Sequence, residues 1–226
     1  MDEKNKKLFE NSHLELPSKP TTSGVDYLRY INTIIGAFED CDTLAKEKII
    51  LWTKKHRLGR EKLGLKDGTF GNRFSMAKGF GLIEKDKKSE LHKLTSDGID
   101  FRDAMNENFK VLSAKQKDIL LESLKKGIDS PIKATIFIFM HFLKIREDVW
   151  FPKSSELSNE DRKIISKFMN KKKILSSTSI GFLFQWARNY CRELELVEGG
   201  SKDHESDLTP LGVEIYNLLV NLLKSS

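Results

Sequence analysis

Cysteine is nearly absent: Cys41 and Cys191 are the only two in 226 residues, and they lie far apart in apolar or helical surroundings. A disulfide framework is not expected, and a reducing, cytoplasmic location is the natural reading. Long apolar runs are missing as well. The longest, around Ala134–Leu143, is interrupted by His141 and is far shorter than the ~20 residues that span a bilayer. It reads as a buried core helix, with His141 a satisfied core residue, and no membrane partner is expected. The start, MDEKNKKLFEN, has no apolar segment, so a signal peptide is not expected.

Chemical motifs are equally scarce. The glycines at 59, 64, 68, 71, 79 and 81 form no phosphate-cradling loop and lack a Gly-Lys-Ser/Thr end. His13, His56, His92, His141 and His204 are scattered and no cysteine pair accompanies them, so no metal and no cofactor is expected. No Gly-x-Ser-x-Gly elbow is present for acyl transfer. Asp86-x-Lys88 and Asp161-x-Lys163 have the local form of a metal-nuclease pair. One sits in a hairpin tip and the other in a first helical turn, both in solvated charge, so the chain is expected not to be an enzyme.

Charge, by contrast, is plentiful and uneven. Of all residues 32% are charged and 38% hydrophobic, with a formal net charge of +6. From Thr43 to Lys93 there are 14 Lys+Arg against 6 Asp+Glu, and from Glu160 to Glu193 there are 8 against 3. Two basic blocks in an otherwise acidic chain are the footprint of a polyanion-binding face. Leu, Ile and Phe are too abundant for disorder, and the length allows two domains of about 100 residues each.

Residues 1–24, with Pro17, Pro20 and a Thr-Thr-Ser-Gly run, read as an arm. Tyr27, Leu28, Ile31, Ile34, Ile35 and Phe38 have the 3–4 spacing of an amphipathic helix. Asp42 or Thr43 is placed to cap the next helix, and a third spans about 69–78, with Phe70, Phe74, Ala77 and Phe80 inward. Strand, charged tip and return strand follow over 82–94. Thr95 caps a helix, and Ser113 caps another within a connecting segment, 111–130. Ser130 with Pro131 opens a helix, Ser158 caps the next, and a further helix covers about 180–194. A second hairpin around 196–208 leads to a terminal helix, Leu211–Leu223, which offers a dimer surface.

Shifting the chain by 114 residues superposes the two hairpin regions without a gap. Leu82, Glu84, Lys88, Leu94, Thr95 and Gly98 meet Leu196, Glu198, Lys202, Leu208, Thr209 and Gly212, which makes 6 identities over 33 pairs. In both copies Leu-Thr-x-x-Gly opens the closing helix. Its threonine hydroxyl can cap that helix, and its glycine lets the helix approach a neighbour closely. Two copies at this spacing indicate a domain duplication.

Helix, Gly-Phe-Gly-Leu-Ile-Glu, charged tip and Leu-Thr-Ser-Asp-Gly together resemble the winged helix-turn-helix superfamily of DNA-binding domains. Two such units in tandem resemble the recognition halves of type IIS restriction endonucleases, although those enzymes carry a separate nuclease domain, which is not expected within these 226 residues. The resemblance implies a mainly α fold with small β-wings (α+β), as two tandem winged helix-turn-helix domains at 25–110 and 131–226. It implies double-stranded DNA as partner, in a transcription regulator or in an accessory subunit of a restriction or mobile-element system. The alternative is a protein–protein adaptor, with a homodimer or a partner subunit.

In this fold the third helix reads the major groove and the wing reaches the backbone. The base-reading candidates are therefore Thr69, Asn72, Arg73, Ser75 and Lys78, with Arg73 matched to guanine and Asn72 to adenine. Met76, on the same helix, is a candidate as well. Lys54, Lys55, Arg57 and Arg60 are candidate phosphate contacts, and Lys85, Lys87 and Lys88 make a basic wing tip. The second unit offers Ser177, Thr178, Ser179, Gln185, Arg188, Asn189 and Arg192, preceded by Lys171, Lys172 and Lys173. Phe182, Phe184 and Trp186 are expected in its core. The second wing is acidic and should avoid phosphate.

Overall fold

A computed structural model describes residues 16–18, 27–55, 67–86, 89–106, 110–148, 157–168, 172–199 and 206–225. The chain divides into two compact units, one over 24–124 and the other over 125–226 together with the described residues 16–18.

The first unit begins with three consecutive helical pieces, Leu28–Ile31, Asn32–Ile35 and Gly36–Phe38, here together α1. Leu28, Ile31, Ile34, Ile35 and Phe38 are fully buried along it, as their spacing predicts. Gly36 is needed because the Trp52 ring packs against it, and a Cβ there would fall 2.4 Å from a ring carbon. A short strand, β1 (Thr43–Ala45), follows where a helix cap was expected. It pairs antiparallel with β3, placing Thr43, Leu44 and Ala45 opposite Lys93, His92 and Leu91. Three residues are too few for strand alternation to show in sequence; long-range pairing decides.

Next come α2 (Lys46–Lys55) and α3 (Asp67–Gly79), the hairpin β2 (Ile83–Lys85) and β3 (Leu91–Leu94), and α4 (Ser96–Asp103). The sheet order is β1-β3-β2. Phe70, Phe74, Ala77 and Phe80 are buried, and Phe70 stacks on Phe74 at 5.7 Å.

The segment 111–130 contains α5 (Ala114–Lys125), which is built into this unit. Ser113 and Gln116 form a capping box: the Gln116 N–H donates to Ser113 Oγ (3.1 Å) and the Ser113 N–H to Gln116 Oε1 (3.0 Å). The Gln116 amide also donates to Asn32 Oδ1 (2.9 Å) and to the Phe101 carbonyl (3.1 Å). Ser123 Oγ donates to the Phe80 carbonyl at 2.7 Å.

The second unit comprises α6 (Pro131–Asp148), α7 (Asn159–Phe168), α8 (Ser177–Glu193), the hairpin β4 (Val197–Gly199) and β5 (Ser206–Leu208), and α9 (Pro210–Ser225). Every residue of α6 from Ile132 to Leu143 is buried, the pattern of a helix apolar on all sides. His141 is satisfied as expected, its Nδ1 2.7 Å from Tyr216 Oη. Ser158 caps α7 in a second capping box, its Oγ accepting from the Asp161 N–H at 3.1 Å and its N–H donating to Asp161 Oδ2 at 2.9 Å.

The repeat seen in sequence holds atom for atom at the hairpin roots. Ile83 pairs with Leu94 as Val197 pairs with Leu208. The Leu82 N–H donates to the Ala77 carbonyl (3.0 Å) and the Leu196 N–H to that of Cys191 (2.8 Å). Thr95 and Thr209 each cap the closing helix, accepting the Gly98 and Gly212 N–H at 3.0 Å. Their hydroxyls donate at 2.7 Å to the carbonyls of Gly81 and Glu195. Their own N–H groups donate to the Leu82 and Leu196 carbonyls, at 3.1 and 3.0 Å. The glycines are required, since a Cβ on Gly98 or Gly212 would lie 2.0 Å from those same carbonyl oxygens.

Gly98→Ala and Gly212→Ala should each lower stability by roughly 1–3 kcal/mol, the range for forcing an atom into a filled site. Gly71→Ala, where a Cβ meets nothing within 4 Å, should raise it by up to about 1 kcal/mol through helix propensity. Urea unfolding of the three variants checks both signs.

Candidate nucleic-acid interface

The outer face of α3 carries three of the expected base-reading residues. Ser75 and Lys78 are exposed and Asn72 is half-buried. Spaced at i, i+3 and i+6, they lie along one side of the helix. Lys54 and Lys55 are exposed at the end of α2. Arg57, Arg60, Lys87 and Lys88 lie outside the described residues, as does the Thr69 side chain.

Arg73 is not on that face, which corrects the strongest sequence expectation. It is fully buried. Its Nη1 donates to Thr33 Oγ1 at 3.1 Å, and its guanidinium lies over the Tyr30 ring, 4.5 Å from the centroid. Burial pushes its pKa down to about 10, opposed in part by Tyr30, so it remains charged at neutral pH. The reason is geometric. Phe70, Arg73, Phe74 and Ala77 stand at i, i+3, i+4 and i+7, one helical stripe. Its planar, weakly hydrated guanidinium stacks on an aromatic face where an ammonium group would stay in water. Met76, on the same helix, is buried as well.

The hairpin adds charge beside this face. Lys85 is exposed on β2 and pairs with Glu90 at 2.5 Å. Lys93, which sequence reasoning did not select, is exposed on β3 opposite Glu84. Period-2 alternation from the buried His92 and Leu94 gives the signal that finds it. Lys46, also unselected, is exposed at the first position of α2.

In the second unit α8 presents a different surface. Gln185 and Arg192 are exposed, and Arg188 and Asn189 are half-buried. An Arg192 Nη2 donates to the Gly199 carbonyl, tying that side chain to its own hairpin. Lys172 and Lys173 are exposed before α8, and Lys171 lies outside the described residues. Ser176 caps α8, so Ser177, Thr178 and Ser179 form its first turn. Phe184 is buried as expected, but Phe182 is 50% exposed. It stacks on the half-buried Trp186 at 5.9 Å and 16°. At the repeat offset Trp186 occupies the position of Asn72. Glu198 and Asp207, both exposed, face each other across the second hairpin, so the described part of that hairpin is acidic.

The two Asp-x-Lys pairs acquire other roles or fall outside the description. Asp161 is the capping-box partner of Ser158. Asp86 accepts a 2.7 Å bond from Ser89 Oγ, while Lys88 lies outside the described residues. Among the described residues no three His, Cys, Asp or Glu side chains converge, and no helix is long and apolar enough to cross a membrane.

No protein-family model matches the chain, and no curated protein does. Two solved structures are similar. The restriction endonuclease FokI bound to DNA gives a TM-score of 0.47 at 16% identity, over 77% of this chain and 34% of that one. A second structure of the restriction endonuclease FokI gives 0.45 at 13%, over 96% and 46%. The chain thus spans less than half the length of either, and at these scores neither carries an inference about function.

Replacing Arg73 by Ala should lower stability by roughly 2–4 kcal/mol, the cost of emptying a large buried site. Arg73→Met, which fills the space without the charge, should stay within about 1.5 kcal/mol of the parent, as volume-conserving core replacements do. Thermal unfolding distinguishes this core role from a surface one, for which both variants would unfold like the parent.

Proposed function

We propose that the first unit is a winged helix-turn-helix domain that binds double-stranded DNA and carries out no catalysis. The observation that carries this reading is the element order. Helix, strand, helix, helix and hairpin, with a β1-β3-β2 sheet, leave the Asn72–Ser75–Lys78 side of α3 in solvent, with exposed lysines at 54, 55, 85 and 93. A helix with such a face fits the major groove. The lysines neutralise phosphates and position the protein, while Asn72 and Ser75 meet base edges. The duplicated second unit belongs to the same class of fold. Its biological setting, on this reading, is transcription regulation or DNA recognition within a restriction or mobile-element system.

A second reading applies to the second unit alone. The exposed Phe182–Trp186 pair on α8 and the facing carboxylates of its hairpin favour contact with a protein partner over a phosphate backbone. A Phe182→Ala, Trp186→Ala double variant that leaves DNA affinity unchanged supports this division; a large loss of DNA affinity assigns α8 to the nucleic acid instead.

Mobility shifts on duplex DNA across a salt series test the main reading. Affinity should fall linearly on a log–log plot, and removing both Lys54 and Lys55 should reduce the slope by about 2, near 0.9 per phosphate contact. Those changes should weaken all sequences alike, whereas Asn72→Ala should relax base preference by about 1–3 kcal/mol at one position. Absence of any retained duplex at low salt sinks the proposal.

A further inference from the structure

His92 is a buried histidine at a basic corner of the first unit. It is only 6% exposed, and its Nδ1 is buried without a hydrogen-bond partner among the described residues. The Phe74 ring of α3 meets its ring edge-on, with centroids 4.6 Å apart. Strand register puts Lys85 of β2 directly across from it and Leu44 of β1 on its other side. Cross-strand partners share a face, so Lys85 projects from the same side of the sheet as His92. Lys78, exposed on the outer face of α3, lies one helical turn beyond Phe74, at the border between that face and the buried stripe. Lys46 follows Ala45, which pairs with Leu91, the neighbour of His92.

Lysines of α2, α3 and β2, all exposed, thus act on one buried imidazole. Burial first, and then Lys78, Lys85 and Lys46, hold its pKa below the ordinary 6.5. Among the described residues, Glu90 is the carboxylate that opposes them. Its carboxyl already sits on Lys85 at 2.5 Å.

We propose that Lys46, Lys78 and Lys85 bind one phosphate group at this corner, and that His92 behind them takes up a proton when the phosphate arrives. The source of that phosphate is the DNA backbone, so the inference rests on the DNA-binding reading above. An anion seated among the three lysines cancels the field that keeps the imidazole neutral. By linkage, a site that gains a proton on binding must bind more tightly as pH falls. Glu90 does not contribute over pH 5.5–7.5, because its contact with Lys85 keeps its carboxyl below the ordinary 4.5.

The test is an NMR titration of the His92 ring in the full chain: alone, with millimolar inorganic phosphate, and with saturating duplex at low salt. The His92 midpoint should lie below 6.5 in the free protein and rise with the duplex. Each unit of rise corresponds to about a tenfold gain in affinity once pH is below both midpoints. Affinity should accordingly increase from pH 7.5 to 5.5, and more so than for His92→Phe, which keeps the stacking on Phe74. Lys46→Ala with Lys85→Ala should abolish the rise. A matching rise with inorganic phosphate alone assigns the site to the free ion and overturns the DNA-backbone assignment. If the duplex binds and the His92 midpoint does not move, the inference is wrong and the DNA reading stands. If no duplex binds at any pH, the DNA reading fails and takes the inference with it.

Discussion

The carbonyl oxygen of one leucine is the constraint on which each unit depends. Leu82 in the first unit, and Leu196 in the second, leaves the preceding helix through a tight turn and accepts the N–H of the threonine that starts the closing helix. That helix then passes so close that only glycine fits one turn later. Sheet root, helix exit and closing helix are pinned at one atom. The direction of the hairpin relative to α3 follows from this, and with it the position of Lys85 across from His92, whose ring meets Phe74 of α3. A charged surface for a rigid polyanion needs such fixed spacing, because long lysine side chains lose considerable freedom when they are held.

The two copies share this frame and differ in what they display. The turn residue before the leucine takes a positive φ in both, +74° at Gly81 and +59° at Glu195. The second copy therefore tolerates a conformation that disfavours side chains by about 1–2 kcal/mol. Across the first hairpin Glu84 opposes Lys93, and across the second Glu198 opposes Asp207. Where α3 presents Asn72, α8 presents Trp186. The two units keep the same backbone contacts at the hairpin root, while their surfaces differ, one basic and polar and the other aromatic and acidic.

Much of this frame was legible in the sequence. Thr95, Thr209, Ser113 and Ser158 announce helix starts because their hydroxyls accept local backbone N–H groups, whereas the Ser130 hydroxyl is buried without a partner among the described residues and its helix is announced by Pro131; the offset of the repeat is matched by the strand registers. The illegible parts depended on distant contacts. β1 forms only because β3 is there to pair with it. The charge of Arg73 points to the surface, but its place in the Phe70–Ala77 stripe and its partners Tyr30 and Thr33 on another helix bury it. Phe182 was read as core from its spacing, although only Phe184 of the two faces inward. The His92 corner joins α2, α3 and both hairpin strands, so no local pattern reveals it.

The central claim is that the solvent face of α3 and the lysines around it meet duplex DNA. Amide chemical-shift mapping on addition of a duplex at low salt addresses it most directly. The largest changes should fall at Asn72, Ser75 and Lys78, at Lys54 and Lys55, and along β2 and β3, with little change in α5. Saturable changes confined to α8 or α9, with α3 unmoved, would contradict the account.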